Sequence, residues 1–185
     1  MVDSWLESFV ESYYQNFKRY LVQKNVWFPV KKKEGVRKQG GWSDIDILAL
    51  SEEELHLVSC KTFLGMKKAE ETANNIVLWF EEASEFINKH QIYSNLLIER
   101  KFPLIKRLIL EIPHKSAESA IKKMTPSINI IYYKDLLVDW IDHLKKKMQP
   151  ISTKNNYITA SDKIYKKTED NIERLLMELI RYNLL

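Results

Sequence analysis

The stretch Gly41–Thr62, GWSDIDILALSEEELHLVSCKT, places charged side chains within what otherwise reads as a buried hairpin. Apolar residues in short runs predict two strands, Asp44–Leu50 and Glu54–Cys60, joined by a Ser-Glu-Glu-Glu turn. Carboxylates are costly inside a sheet unless a partner neutralises them. The acids and the lysine of this hairpin therefore call for an explanation.

The turn fixes the expected pairing of the two strands. If residues 52–53 occupy the turn, paired residues have numbers that sum to 105, so Asp46 faces Ser59 and Asp44 faces Lys61. Side chains alternate along a strand, and these four are therefore expected on one face. The opposite face, toward the core, is expected to carry Ile45, Ile47, Ala49, Val58 and Cys60.

Two acids and a lysine on one face suit phosphoryl chemistry. Carboxylate oxygens bind hard divalent ions such as Mg²⁺, which also bind phosphate oxygens. A neighbouring lysine stabilises developing negative charge and acts on the attacking water. The alternative is an ordinary Asp–Lys pair on a solvated face. Both strands are nearly continuous apolar runs, which favours the site over that alternative.

Composition restricts the class of protein. The chain has 185 residues, 45% of them hydrophobic, which indicates one domain with an ample core. No apolar run approaches the roughly 20 residues of a membrane span, and the acidic N-terminus does not resemble a signal peptide. With a single cysteine the chain forms no internal disulfide. We expect an intracellular, cytoplasmic protein that does not enter the membrane. Its many lysines and glutamates are weakly typical of thermophiles.

Hydrophobic spacing predicts the remaining elements. Helices are expected at residues 3–24, 67–90, 116–124, 135–148 and 163–183. Further strands are expected at residues 26–30, 108–112 and 128–132, the first of them at an edge or a bulge because it contains Pro29.

This order predicts an α/β fold with a three-layer core, in which helices flank a mixed central sheet and an extra helix follows at the C-terminus. Residues 1–149 form the expected domain and residues 150–162 a linker. The leucine-rich helix within residues 163–185 is expected to pack on the core or on a dimer partner.

The hairpin and the element order together resemble the PD-(D/E)XK nuclease superfamily, which has the restriction-endonuclease-like fold. The signature of that superfamily is an acid on the second strand, here Asp46, followed by an acid-x-Lys on the third, here Ser59-Cys-Lys61. The sequence Ile-Asp-Ile-Leu-Ala is similar to that of archaeal Holliday-junction resolvases. The opening Ser-Trp-Leu-Glu, together with Cys-Lys-Thr, also resembles nuclease domains of CRISPR-associated effectors.

The resemblance implies a set of metal ligands and catalytic groups. Asp46 would bind Mg²⁺ or Mn²⁺ together with the main-chain carbonyl of Cys60, and Lys61 would act on the water and the scissile phosphate. In such families a glutamate of the first helix adds a ligand, which Glu7 matches best and Glu11 matches one turn later. Asp44 would support Asp46 or replace it as a ligand. A solvent-facing role is the alternative for both glutamates.

Ser59 departs from the signature, which usually has an acid there. Three explanations stay open. The site works with fewer carboxylates; or the acid has moved to the next helix, as Glu70 or Glu71; or the protein binds nucleic acid without cutting it. Because it takes the place of the usual acid, Ser59 is itself a candidate catalytic residue.

The segment before the hairpin is basic. We expect phosphate contacts from Lys31, Lys32, Lys33, Arg37 and Lys38. Trp42, at the strand entrance, is expected to stack on a base or wedge a junction. The other tryptophans, among them Trp5 and Trp27, are expected in the core.

The sequence therefore predicts a divalent-metal-dependent endonuclease, acting on DNA with RNA as an open alternative. Branched or structured DNA is one expected substrate, and a homodimer is expected because paired sites match the two-fold symmetry of duplex DNA. The rivals are a catalytically inactive nucleic-acid-binding protein on the same fold and a non-nuclease domain with a structural ion pair.

Overall fold

The computed structural model describes residues 4–32, 39–64, 68–148 and 171–181. Their centre is a five-stranded mixed sheet with helices on both faces, which confirms the predicted α/β class. The strands are β1 (Leu21–Val30), β2 (Gly41–Leu50), β3 (Leu55–Lys61), β4 (Leu104–Leu110) and β5 (Ile128–Tyr132). They lie in chain order across the sheet, so β1 and β5 form its edges. The edge position of β1 agrees with the proline at position 29.

The connections explain the strand directions. A tight turn joins β2 to β3, in which the Ser51 amide donates to the Glu54 carbonyl at 3.0 Å, and the strands β1, β2 and β3 pair antiparallel. Long helical crossovers precede β4 and β5, and each of these strands pairs parallel with its predecessor. The observed β2–β3 partners, from Ile47 with Val58 to Leu50 with Leu55, have the predicted register.

Six α-helices flank the sheet in the described part of the chain. They are α1 (Trp5–Ser12), α2 (Ala69–Lys89), α3 (Gln91–Ile98), α4 (Lys115–Met124), α5 (Tyr133–Met148) and α6 (Asn171–Arg181). A π-helical turn, Tyr13–Phe17, extends α1. None of the described helices is both long and apolar enough to cross a membrane.

Each face of the sheet has its own hydrophobic core. We call the core beneath α2 and α4 the α2-side core; its helix residues include Ala73, Phe80, Ile87 and Ile121. The opposite core, the α1-side core, contains residues of α1, α5 and α6, among them Leu6, Trp140 and Met177. The sheet is therefore buried on both sides, which explains why its strands are nearly continuous apolar runs.

In β1 and β2, the side chains that face a given core switch to the other core partway along each strand, at paired positions. Val22 of β1 and Ile47 of β2 pack into the α1-side core, whereas Val26 and Ile45 pack into the α2-side core. Strict alternation would keep residues 22 and 26, or 45 and 47, on one side. Asn25 has a φ of 51°, a left-handed conformation that asparagine tolerates better than most residues. The expectation that Ile45 shares a face with Ile47 was therefore wrong.

Some predicted boundaries were also wrong. The helix predicted for residues 3–24 ends in the π-helical turn, and residue 21 already begins β1. Arg19, with a φ of 62°, turns the chain between them. The strand predicted for residues 108–112 runs instead from Leu104 to Leu110, and α3 was not predicted at all. Side chains of a buried strand and of a helix share apolar composition, so spacing alone did not separate them.

The C-terminal helix packs on the body of its own chain. Leu176 and Met177 are buried in the α1-side core, and Glu173 accepts a hydrogen bond from Lys147 of α5 at 3.4 Å. Contact with the core of the same chain is observed, and packing on a dimer partner stays a prediction. The predicted linker, residues 150–162, and residues 163–170 of the predicted helix lie outside the described residues.

Candidate functional site

The Asp46 carboxylate is the centre of the predicted site. Its Oδ2 atom accepts hydrogen bonds from the Cys60 amide at 2.6 Å, the Ser59 hydroxyl at 3.1 Å and the Lys61 ammonium at 3.4 Å. All of these donors come from the end of β3. Because they converge on Oδ2, the second oxygen, Oδ1, has no hydrogen-bond partner among the described residues. One oxygen therefore holds the carboxylate in place and the other is available to a ligand.

The Asp46 side chain replaces a backbone contact of the sheet. The β2–β3 ladder runs only as far as Ile47 and Val58, and beyond it the Cys60 amide donates to the carboxylate instead of to β2. The N–H and C=O groups of one strand residue point to the same side, so the Cys60 carbonyl also faces this gap. Asp46 lies between Ile45 and Ile47, where the side chains of β2 change from one face of the sheet to the other. The pairing of β2 with β3 ends at the same position.

The Cys60 thiol lies between the charges of this region. Burial raises its pKa well above the usual range; the charges of Asp46 and Glu7 raise it further, and Lys61 and Lys24 act in the opposite direction. The thiol is thus inert as a nucleophile near neutral pH. Glu7 and Lys24 are thus close enough to the thiol for their charges to act on it.

The two glutamates of α1 have different partners. Glu7 accepts a hydrogen bond from the Ser4 hydroxyl at 2.8 Å, and its own amide donates to Ser4 Oγ at 3.2 Å, so Ser4 caps the start of the helix. Glu11 forms an ion pair with Lys24 of β1 at 3.0 Å, with only 16% of the Lys24 side chain exposed. Glu7 is therefore the better candidate of the two for a metal ligand, because Lys24 already neutralises Glu11.

The remaining acids predicted for the site lie outside the Asp46 cluster. Asp44 is expected to face Lys61, but this contact is not observed: Asp44 pairs with Trp27 of β1, and the β2–β3 ladder ends before it. Glu70 and Glu71 are exposed on the first turn of α2. Neither joins Asp46 in a group of three acidic, histidine or cysteine side chains suited to a metal, since the described residues contain no such group.

Ser59 does not occupy the position of a ligand. Its side chain is 1% exposed and its hydroxyl donates to Asp46, so it orients the carboxylate that an acid at this position would repel. Because neither Glu70 nor Glu71 joins Asp46 in a metal-binding group among the described residues, a site with fewer carboxylates and binding without cleavage remain the open explanations for this serine. The site retains one exposed cation: 41% of the Lys61 side chain is exposed, against 10% for Asp46.

The oxygen atoms around the gap are chemically suited to a hard divalent ion. Asp46 Oδ1, the Cys60 carbonyl and the Glu7 carboxylate are all oxygen donors, the type that Mg²⁺ prefers. Because Mg²⁺ keeps several waters and binds proteins through one or two carboxylates, a cluster of three acids is not required. The type of donor therefore fits the ion that the sequence predicts, whereas the described residues contain no group of three acidic, histidine or cysteine side chains around it.

The predicted nucleic-acid contacts are described only in part. Lys31 and Lys32, just after β1, are exposed, whereas Lys33, Arg37 and Lys38 lie outside the described residues. Trp42 is 69% exposed, in agreement with a surface role. Trp27, expected in the core, is 49% exposed, and Trp5, also expected there, is 51% exposed.

Sequence reasoning missed Lys24 and Trp27. A lysine following Gln23 near a predicted helix end gave no sign of its pairing with Glu11, which depends on tertiary packing. The run Val-Trp-Phe-Pro-Val is apolar throughout, so its two faces look alike in the sequence. Its one usable signal was Pro29, which indicated an edge strand with a solvent-facing side.

A second polar cluster lies near the other end of β3. The His56 ring is bonded through Nδ1 to the Tyr14 hydroxyl at 3.0 Å and through Nε2 to Glu54 at 2.5 Å. Tyr20 donates to the same Glu54 oxygen at 2.8 Å, and Arg107 donates to the Tyr14 hydroxyl at 3.1 Å. These bonds are mutually consistent when His56 is neutral with its proton on Nε2.

No family model matches this sequence, and no curated protein matches it. Among solved structures, the chain is similar to the crystal structure of a protein of unknown function, AF1548, with a TM-score of 0.43 and 13% sequence identity. The similarity covers 97% of this chain and 78% of the other. Similarity at this level carries no information about function, which is therefore inferred from the side chains of this chain.

Proposed function

We propose that this chain is a divalent-metal-dependent endonuclease that hydrolyses phosphodiester bonds of DNA. The observation that carries the proposal is the Asp46 carboxylate, fixed through one oxygen beside the half-exposed Lys61 at the point where two central strands part. A buried carboxylate is costly, and here the donors of β3 stabilise it while leaving its other oxygen open. This arrangement resembles the acid and lysine of PD-(D/E)XK nucleases.

Each residue then has a defined role. Asp46 Oδ1, the Cys60 carbonyl and Glu7 would hold the ion, which lowers the pKa of a bound water and neutralises phosphate charge. Lys61 presents its ammonium group to the scissile phosphate and stabilises the negative charge that develops there. Ser59 and the Cys60 amide keep the carboxylate in one orientation, because they bind the oxygen that faces β3.

The basic surface supports a nucleic-acid substrate. Lys31 and Lys32 are exposed at the end of β1, and the whole chain has a formal net charge of +4. Lysine contacts to phosphates add affinity without reading sequence. A homodimer would present two sites to the two strands of a duplex, and we retain it as part of the proposal.

One observation favours a second candidate, a nucleic-acid-binding protein without catalysis. Ser59 stands where nucleases of this type carry a second acid, and the described residues contain no group of three acidic, histidine or cysteine side chains suited to a metal. In that case Asp46 would serve to close the end of the β2–β3 ladder, and the lysines alone would bind phosphate.

Cleavage assays separate the two candidates. End-labelled duplex, single-stranded and four-way-junction DNA, with a matched RNA strand, are incubated with the purified protein in Mg²⁺, Mn²⁺ or EDTA. We expect metal-dependent cleavage of DNA by the wild type, and a loss of about 100-fold or more in Lys61→Ala. Lys123→Ala removes an exposed lysine of α4 and is the matched control, for which the wild-type rate is expected.

The outcomes have distinct meanings. Equal cleavage by Lys61→Ala and the wild type would show that the site is misassigned. Binding of DNA without cleavage in both Mg²⁺ and Mn²⁺ would select the second candidate. Faster cleavage of the RNA strand than of the DNA strands would identify RNA as the substrate. The molecular mass from light scattering of the pure protein would test the dimer.

A further inference from the structure

The strands β1 and β2 continue past the Asp46 level as a two-stranded ribbon. We define the ribbon as residues 26–30 and 41–45, paired from Val26 with Ile45 to Val30 with Gly41. One of its faces is buried: Val26, Phe28 and Ile45 belong to the α2-side core, and the Phe28 ring contacts Trp79 of α2 edge-on at 6.0 Å. This packing fixes the ribbon to the body of the protein.

The other face of the ribbon carries two exposed indole rings. Trp27 pairs with Asp44 and Pro29 pairs with Trp42, so alternation puts these four residues together on the face away from α2. Trp27 is 49% exposed and Trp42 is 69% exposed. Residues diagonal to one another across two strands lie about 7–8 Å apart, within reach of a single extended ligand. Exposed tryptophans that share a face in this way indicate a binding surface.

We propose that Trp27 and Trp42 form a platform on which unpaired nucleobases stack, so that the substrate is a nucleic acid with a single-stranded segment. The inference rests on the proposed nuclease function and names its substrate class. Every base has a π-face, so a pair of indoles binds single strands without sequence preference. Bases of an intact duplex are already stacked on one another and do not reach the platform.

Position and charge select nucleic acid as the occupant. The described ribbon and its ends, residues 26–32 and 39–45, carry Lys31, Lys32 and a single acid, Asp44; Lys31 also lies 3.9 Å from Glu85 of α2 in a weak, exposed ion pair. Both lysines are exposed at the ribbon's far end, and Lys61 lies at its near end beside Asp46. Trp42 precedes Asp46 by four residues on β2, which corresponds to about 13 Å along a strand. A strand stacked on the indoles therefore has cations at both ends and the Asp46 site within a few nucleotides.

The test measures binding in EDTA, where cleavage does not interfere. Fluorescence anisotropy gives the dissociation constant for a labelled 20-nucleotide single strand, for a blunt duplex of the same sequence, and for a strand of the same length built from abasic units. The variants are Trp27→Ala, Trp42→Ala and Trp42→Phe. Ile98→Ala, which removes a 71% exposed apolar side chain of α3, is the control.

We expect each Trp→Ala variant to weaken binding of the single strand by roughly 5- to 100-fold. Duplex and abasic-strand binding should stay within about twofold of the wild type, because these probes offer phosphates but no free base faces. Trp42→Phe should retain most of the affinity, and Ile98→Ala all of it. Circular dichroism spectra identical to the wild type show that the variants are folded.

Three results would overturn the platform: no binding of the single strand by the wild type, an equal loss for the single and abasic strands, or unchanged single-strand binding by both Trp→Ala variants. A change in the molecular mass of Trp27→Ala or Trp42→Ala in light scattering would assign the face to self-association instead. Failure of the nuclease proposal is distinguishable, because Lys61-dependent cleavage is scored separately. A platform without cleavage would belong to a binding protein, and cleavage without Trp dependence would leave the nuclease with another substrate-binding surface.

Discussion

The two strands β2 and β3 carry a polar cluster near each end, and the clusters differ in what they leave open. At the turn end, the ring of His56 is 1% exposed, and both of its nitrogens are bonded, to Tyr14 and Glu54. At the opposite end, Asp46 is bonded through Oδ2 alone, and Lys61 reaches solvent. The first cluster is closed and the second is half open.

The difference shows how burial and hydrogen bonding separate a structural cluster from a candidate site. The network around His56 stabilises the fold because both ring nitrogens have partners, although the buried Nε atom of Arg107 has none among the described residues. In the open cluster, donors from β3 bind one oxygen of the Asp46 carboxylate, Oδ2, and the other oxygen, Oδ1, accepts none of these bonds. We therefore expect substitutions at the turn end to change stability, and substitutions at the Asp46 end to change activity.

The largest effect is expected for Asp46→Asn. The amide oxygen still accepts from the Cys60 N–H, so the free energy of unfolding should change by no more than about 1 kcal/mol. Cleavage should fall by about 1000-fold, because the carboxylate charge that would hold the ion is lost. Urea denaturation and the cleavage assay measure the two quantities. A variant that keeps its activity would contradict the role of Asp46 as a ligand.

Tyr14→Phe should produce the opposite pattern. It removes the hydroxyl that accepts from Arg107 and is bonded to His56, leaving buried polar atoms without a partner. We expect a loss of about 1–3 kcal/mol in the free energy of unfolding, with cleavage unchanged in the folded fraction. Tyr93→Phe, which removes an exposed hydroxyl bonded to Gln23, is the control and should cost less. Equal losses in both variants would show that the network adds nothing.

The two glutamates of α1 sharpen the definition of the open cluster. Glu7→Gln should raise the Mn²⁺ concentration needed for half-maximal cleavage about tenfold, as a ligand or its close support does. Glu11→Gln should change it less, since Lys24 already neutralises the Glu11 carboxylate at 3.0 Å. Metal titrations of the cleavage rate compare the two variants. The reverse order would make Glu11 the ligand and Glu7 only a helix cap.

The smallest effect concerns pH and the closed cluster. Burial lowers the pKa of His56, and the Arg107 charge lowers it further, against the raising effect of Glu54. In the unfolded chain His56 therefore binds a proton near pH 6.5, whereas in the folded chain it does so only at lower pH. The free energy of unfolding should therefore fall as the pH drops below about 6.5.

Glu54 adds to the same trend at lower pH. Burial raises the pKa of its carboxyl, but the hydrogen bonds from Tyr20 and His56 outweigh this and hold the pKa below its usual value. Its contribution is lost as the pH falls below about 4.3. Urea denaturation at pH 7.5 and 5.5 isolates the histidine, and His56→Gln should abolish the difference between these two pH values. A difference that persists in this variant would assign the effect to another group.

Much of the hairpin was predictable because its constraints are local. The Glu-Glu turn sets which residues pair, and the apolar alternation resists a shift by one position, so the observed register from Ile47 to Leu50 was predicted. The closeness of Asp46, Ser59 and Lys61 follows from that register and is observed. The mixed sheet with helices on both faces followed from element order.

The details that depend on packing were not predictable. The left-handed conformation of Asn25 changes the faces of two strands, and no pattern in the sequence requires it. Asp44 pairs with Trp27 instead of the predicted Lys61, and Trp27 is exposed rather than buried. His56 gave no sign of its network, because Tyr14, which is bonded to its Nδ1 atom, and Arg107, which donates to Tyr14, lie far from it in the sequence.

By itself, the sequence determined the hairpin, its register, the class of fold and the residues that meet at the end of β3, because turn chemistry and period-two alternation act over short distances. Only the tertiary structure decided which carboxylate oxygen stays open, which glutamate of α1 is neutralised, and which tryptophans face solvent. These properties depend on how helices and distant strands pack around the hairpin, and burial by other elements is not encoded in the spacing of any one of them.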